Sequence, residues 1–104
     1  MSMKTLTKMP KVDWRGNKLT NYHKVKVKGK NDFAYVKGEY LIVEDLKGIG
    51  FRDVMYIKIA AIEMLSLNRR GLGADILTIT WPMGTYDMKS DTAAKLMDEM
   101  LDLE

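Results

Sequence analysis

The chain has 104 residues, of which 46% are hydrophobic and 30% are charged, and its formal net charge is +3. This length provides material for one compact core and excludes a second domain. Because the chain contains no cysteine, disulfides, thiolate nucleophiles and sulfur-ligated metals are excluded as well.

Residues 1–19 are predicted to form a basic, irregular N-terminal arm, because they show no period of two or of 3.6 residues. Within the arm, the indole of Trp14, next to Arg15, is expected either to plug the edge of the core or to present a stacking face. Residues 1–30 hold nine Lys and Arg side chains against one Asp, a net charge of +8, whereas residues 31–104 carry −5. This polarity suits a polyanionic partner, and it suits self-association equally well.

Residues 20–104 are predicted to form a single β-rich domain. Its first strand begins near Thr20, where a period of two places valines on one face and lysines on the other. The inward set is His23, Val25 and Val27, and the outward set is Tyr22, Lys24, Lys26 and Lys28. Two further short strands are predicted over 33–36 and 40–44, separated by glycine-containing turns.

The apolar segment 54–67 allows two interpretations. Its β-branched residues favour a strand, whereas its alanines and leucines tolerate a helix. We prefer a strand that is kinked near Ala60 and Ala61, because the apolar residues would spread nearly all round a helix. A two-glycine loop follows, then a strand over 76–81, a turn at 82–84 and a hairpin partner over 85–88.

A C-terminal helix is predicted from about residue 91 to residue 103. Ser90 is expected to cap it, and Asp91 would lie in the first turn, where the helix dipole favours negative charge. Its apolar stripe consists of Ala93, Leu96, Met97, Met100 and Leu101. The whole order predicts an α+β, mainly β fold, a small curved antiparallel sheet or partly open barrel with one C-terminal helix packed on it.

The order of elements over residues 54–104 is similar to that of pleckstrin-homology-like domains and other small barrels. The likeness rests on element order alone and implies no function.

The sequence lacks the residues that most catalytic mechanisms require. The one histidine, His23, falls on the valine face and is expected to be a core residue with its hydrogen bonds satisfied, or a residue at the boundary of the core, and not a catalyst. The glycine pairs at 48–50 and 71–73 lack the other residues of nucleotide-binding loops. Glu44, Asp45 and Lys47 faintly resemble the grouping of metal-dependent nucleases, but the further acid that such a site needs has no identifiable position. We therefore predict no enzyme, no catalytic residue, no metal site and no cofactor.

The basic strand supplies the functional prediction. Alternate residues of a strand lie about 6.6 Å apart on one face, so Lys24, Lys26 and Lys28 would form a cationic ladder along a phosphate backbone. Further phosphate or stacking contacts are expected from Trp14, Arg15, Tyr22, Arg69 and Arg70. The prediction is a non-enzymatic module that binds nucleic acid or another polyanion with little sequence specificity. Exposed lysines that serve only solubility are the structural alternative.

The alternative function is a protein-interaction or assembly module, such as an inhibitor or regulatory subunit. It would use an exposed sheet edge or the Met-rich C-terminal helix, since the chain contains nine methionines. Open sheet edges also predict a homodimer. The N-terminus has no apolar run of signal-peptide length, and no later segment approaches the roughly 20 apolar residues that span a bilayer, so we expect a cytoplasmic protein without membrane contact.

Overall fold

The computed structural model describes residues 11–46 and 52–102. Its strands, in chain order, are β1 (Lys11–Val12), β2 (Lys18–Leu19), β3 (His23–Val27), β4 (Lys30–Lys37), β5 (Tyr40–Leu46), β6 (Arg52–Lys58), β7 (Met64–Asn68), β8 (Asp75–Trp81) and β9 (Gly84–Ser90). A helix, α1 (Ala93–Leu101), follows β9. No helix in these two ranges is long and apolar enough to cross a membrane.

Seven of the strands form one antiparallel sheet in the order β6-β5-β4-β3-β9-β8-β7. It consists of two meanders, β3 to β6 and β7 to β9. The two meanders join where β3 pairs with β9. The sheet does not close, and β6 and β7 are its two edges within the described ranges. The predicted fold class, a curved antiparallel sheet with one C-terminal helix, is confirmed.

The inner face of the sheet packs against α1 and forms the main core. In β3 the predicted alternation is confirmed, because His23, Val25 and Val27 are buried and the two lysines between them are exposed. The buried residues of this core are Val25, Val27, Ala34, Leu41, Val43, Ile57, Leu77, Ile79, Met88, Ala93, Leu96 and Met100. Three of them belong to α1, which therefore closes the open side of the curved sheet.

The helix is shorter than predicted. It begins at Ala93, so Asp91 lies in the preceding turn and not in the first helical turn. Ser90 is the last residue of β9, and two further residues are needed to redirect the chain onto the core. Its hydroxyl donates to the Lys24 carbonyl oxygen at 2.8 Å and accepts from the Thr92 backbone N–H at 3.1 Å, which orders the turn that precedes the helix.

The segment 54–67 is extended, as preferred, but it forms two strands. β6 ends at Lys58, a 3-10 turn occupies Ile59–Ala61, and β7 begins at Met64. The Ile62 N–H donates to the Ile59 carbonyl oxygen at 3.1 Å and closes this turn. The predicted kink at the two alanines is therefore the crossing from one edge of the sheet to the other.

The outer face of β4 and β5 has a second core under the N-terminal segment. The fully or nearly buried members are Leu19, Phe33, Tyr35 and Ile42. The segment was predicted to be irregular, but β1 and β2 pair as a short antiparallel hairpin. Each of these strands has two residues, too few to show a period in the sequence. Residues 1–10 of the predicted arm lie outside the described ranges.

Candidate polyanion-binding surface

Two of the predicted site lysines, Lys24 and Lys26, lie exposed on the outer face of β3. Lys28 lies in the two-residue turn between β3 and β4 and not on the strand. It has φ of 52° and Gly29 has φ of 80°, so both central residues have the positive φ that a type I′ hairpin turn requires. The cationic ladder therefore continues from the strand to the tip of the hairpin.

Lys89 is a neighbour of the ladder that the sequence did not predict. It lies on β9, directly opposite Lys26 in the sheet. Like charges directly opposite each other on neighbouring strands are destabilising. Lys89 is exposed, because it alternates with buried Met88 and Ser90 along β9. This alternation does not predict that Lys89 lies beside Lys26, because that position depends on the tertiary pairing of β9 with β3.

Lys11 on β1 approaches the ladder from the other side. Its ammonium nitrogen lies 5.0 Å from the centroid of the Phe33 ring, and Phe33 is the register partner of Lys24. The lysine strip is defined as Lys11, Lys24, Lys26, Lys28 and Lys89. Within residues 11–46 and 52–102, none of these five ammonium groups forms an ion pair.

Shallow grooves flank β3. One, of about 390 Å³, is lined by Lys11, Lys24, Asn31 and Phe33 together with Val25 and Asp32. A second, of about 220 Å³, lies where β3 meets β9 and is lined by Lys24, Lys26, Asn31, Lys89 and neighbouring residues. A third, of about 370 Å³, places half-buried Tyr22 beside Lys24 and Asp91. Four of the strip lysines thus line concave surface.

Trp14 and Arg15 do not join the strip. The Trp14 indole N–H donates to the Tyr56 hydroxyl at 2.9 Å, which places the ring over β6, three strands from β3. The Arg15 guanidinium lies 4.6 Å from the Trp14 ring centroid. The indole is 43% exposed, so it covers the margin of the second core, on the outer face of the sheet, without being enclosed by it.

The outer face of β5 and β6 contains a buried carboxylate, Glu44. Its oxygens accept from the Tyr35 hydroxyl at 2.6 Å, from Arg52 Nη1 at 2.6 Å and from the Trp14 backbone N–H at 3.2 Å. Burial and the hydrogen bond to Glu44 raise the pKa of Tyr35. We define these four residues as the Glu44 cluster. Lys47, the third member of the nuclease-like grouping, lies outside the described ranges.

Asp13 closes the turn between β1 and β2. Its carboxylate accepts from the backbone N–H groups of Arg15 at 2.9 Å and Asn17 at 2.7 Å. Burial opposes ionisation of Asp13, but these hydrogen bonds, with a smaller contribution from the Lys37 charge, hold its pKa below the usual value. The sequence feature that indicates this turn is the spacing of Asp13, Gly16 and Asn17.

His23 connects β3 with α1. Its ring nitrogens lie 2.7 Å from Thr92 Oγ1 and 3.0 Å from Glu99 Oε1, and the residue is 3% exposed. The prediction of a buried histidine with satisfied hydrogen bonds is confirmed.

Three aspartates lie in one cross-strand row on the inner face. Asp32 pairs in register with Asp45, and Asp45 with Asp53. Burial and the charges of Asp32 and Asp45 raise the pKa of Tyr86 to about 12. In the described ranges, no group of three or more potential ligand side chains is arranged to hold a metal ion.

Arg69 and Arg70 lie in the loop between β7 and β8. Arg69 Nε is 3.0 Å from Asp75 Oδ2, and the Arg70 backbone N–H donates to Asp75 Oδ1 at 2.9 Å. The loop ends at Ala74, which lines the groove between β3 and β9. The structure therefore places the end of this loop beside the strip, with the Arg69 side chain held by Asp75.

An apolar groove of about 890 Å³ lies between the 3-10 turn, the start of β7 and the end of α1. Its most exposed large apolar side chains are Met64 at 55% and Leu101 at 47%. Met100 is buried and Met97 is half-buried, so most of the Met-rich helix belongs to the core. Met64 and Leu101 therefore leave exposed apolar surface in the groove beside β7.

Comparisons with family models, with curated proteins and with solved structures found no match.

Proposed function

We propose that the protein binds nucleic acid or another polyanion through the lysine strip. The observation that carries the proposal is the position of Lys26 opposite Lys89, with both side chains exposed and neither one in an ion pair with a described residue. A sheet with this arrangement is destabilised by repulsion. A phosphate backbone along the strip supplies the missing negative charge and releases counterions.

The shape of the surface supports a linear ligand. Lys24 and Lys26 lie about 6.6 Å apart along β3, and the turn at Lys28 extends the row. Asn31 lines the grooves on both sides of the strand and offers an amide to a phosphate or sugar oxygen. Tyr22, at the opposite end, is half-buried and offers part of its ring to a base.

The same chemistry implies little sequence specificity. Lysine ammonium groups on flexible side chains contact phosphates, which carry no sequence information. The aromatic and guanidinium groups of Trp14 and Arg15 lie over β6, away from the strip. We therefore propose that binding is centred on the strip and the adjoining Asn31 and Tyr22, with Arg70 as an accessory contact from the neighbouring loop.

The test is fluorescence anisotropy with labelled mixed-sequence single strands and duplexes at about 50 mM and about 150 mM salt. We expect micromolar or tighter binding by the wild type at the higher salt. The log-log dependence of affinity on salt should have a slope of about −0.7 to −0.9 per phosphate neutralised.

The variant Lys24→Gln/Lys26→Gln/Lys89→Gln should lower the affinity about tenfold or more, for every sequence tested, and flatten the salt slope. Its matched control is Lys37→Gln/Lys58→Gln/Lys95→Gln, which removes the same charge from exposed lysines outside the strip. Absence of wild-type binding at the lower salt contradicts the proposal. An equal loss of affinity in both triple variants contradicts the assignment to the strip.

A further inference from the structure

The two edges of the sheet differ in their protection. β6 carries Arg52, Asp53 and Lys58, whereas β7, from Met64 to Asn68, contains no charged residue and no proline. Charges and prolines are the usual means by which an edge strand avoids pairing with another chain. Within the described ranges β7 pairs with β8 alone, so its second edge is open to a further strand.

We propose that β7 is the interface of a homodimer, in which it pairs antiparallel with β7 of a second copy about a two-fold axis at Ser66. Such a pair places Leu65 opposite Leu67 of the partner subunit, and symmetry repeats this contact. Glu63, directly before the strand, then lies opposite Arg69 of the partner subunit. The edge is therefore complementary to itself in both hydrophobicity and charge.

The sequence of this segment selects the register. A shift of one residue would place side chains of the inner face opposite side chains of the outer face, which a continuous sheet does not allow. Moving the axis to Leu65 would place Glu63 opposite Leu67 of the partner subunit. Moving it to Leu67 would place Leu65 opposite Arg69 of the partner subunit. Of these arrangements, the axis at Ser66 alone pairs Glu with Arg and Leu with Leu.

The exposure of the side chains fits this pairing. Leu65 and Leu67 are half-buried in the described chain, and Glu63 is exposed. The Arg69 side chain is 73% exposed even though its Nε contacts Asp75. The two terminal nitrogens of its guanidinium therefore retain donors for a carboxylate of the second copy.

The apolar groove runs beside the same edge. Met64 and Leu65 line it together with Met100 and Leu101 at the end of α1. A second copy on β7 would cover part of this groove, which adds apolar contact to the strand pairing. The lysine strip lies on the far side of β8, so the dimer does not depend on polyanion binding.

The test measures mass by size-exclusion chromatography with light scattering, without nucleic acid, at about 100 μM protein. We expect the wild type at twice the 11.9 kDa chain mass. Glu63→Arg and Arg69→Glu, each alone, place like charges opposite each other at both ends of the interface and should give monomers. An equimolar mixture of these two variants restores both opposite-charge pairs and should return the dimer mass.

Ser66→Lys places two lysines together on the axis and should also give a monomer. Its control is Thr85→Lys, a substitution at an exposed position on β9, which should remain dimeric. Circular dichroism and urea melts confirm that each variant is folded. A monomeric wild type, a mixture that stays monomeric, or a monomeric Thr85→Lys protein would each overturn the proposal.

Discussion

On the outer face of the sheet, the region of β5 and β6 differs from the region of β3 and β9 in how its charges are paired. Arg52 bonds to buried Glu44, and the ammonium of Lys37 lies 3.7 Å from Asp13. Around β3 and β9, Lys26 faces Lys89 instead. The first region uses charge to attach the N-terminal hairpin, whereas the lysines of the second form no ion pair with a described residue.

Charged side chains affect stability differently in these two regions. A buried ion pair that loses one partner leaves the other charge without compensation, which is strongly destabilising. Removing an exposed lysine that faces another lysine should instead increase stability, because it relieves repulsion. Substitutions in the two regions should therefore change stability in opposite directions.

The largest effect is expected from Glu44→Ala, which leaves the Tyr35 hydroxyl and the Arg52 guanidinium without their acceptor. We expect the free energy of unfolding to fall by about 3 kcal/mol in urea melts. Glu39→Ala is the control, because this exposed residue has a distant partner, with Lys58 Nζ 3.9 Å away. The control should change the same free energy by less than about 1 kcal/mol. Equal losses in both variants would mean that the Glu44 cluster does not attach the hairpin.

A smaller, pH-dependent effect is expected from Asp13→Asn, because Asp13 holds the turn of the hairpin through its ionised form. The pKa of Asp13 is lower in the folded state than the ordinary value of 3.8, so its contribution is present above that pH and is lost as the pH falls through the folded pKa. Urea midpoints should therefore differ between wild type and variant at pH 7, and the difference should become smaller at a pH below 3.8, as the pH falls through the folded pKa. A difference that is the same at both pH values would contradict this role of the charge.

The smallest effect is expected from Lys89→Gln, and it has the opposite sign. Removing the charge opposite Lys26 should raise the free energy of unfolding by about 0.2–1 kcal/mol in low salt. The gain should shrink as salt screens the repulsion. Lys58→Gln is the control, because it removes a lysine that has an acidic partner and should bring no gain. A lower urea midpoint for Lys89→Gln would show that the two lysines do not repel each other in solution.

Local pattern predicted several elements well. The alternation of β3 follows from His23, Val25 and Val27, and the apolar stripe of α1 from Ala93, Leu96 and Met100. The helix start was wrong by two residues, because Ser90 belongs to a strand and its hydroxyl bonds to β3. Period-based reasoning cannot anticipate an interaction between residues so far apart in the chain.

The candidate site was predicted only in part, because a local pattern does not show which strands become neighbours. Lys24 and Lys26 share a strand, so their common exposed face follows from the alternation alone. Lys89 was missed because it reaches Lys26 through the pairing of β9 with β3. Trp14 and Arg15 were grouped with the ladder on charge and composition, but a hairpin anchored at Glu44 holds them over β6.

The sequence by itself determined the β-rich class, the burial of the valines in β3 and the C-terminal helix, because these depend on residues a few positions apart. The tertiary structure decided which strands became neighbours and which became edges. It thereby decided that Lys26 faces Lys89, that Glu44 is buried under Trp14, and that β7, with Glu63 and Arg69 at its two ends, is an edge of the sheet in the described part of the chain. Each of these depends on chain closure between distant residues, for which a local period contains no information.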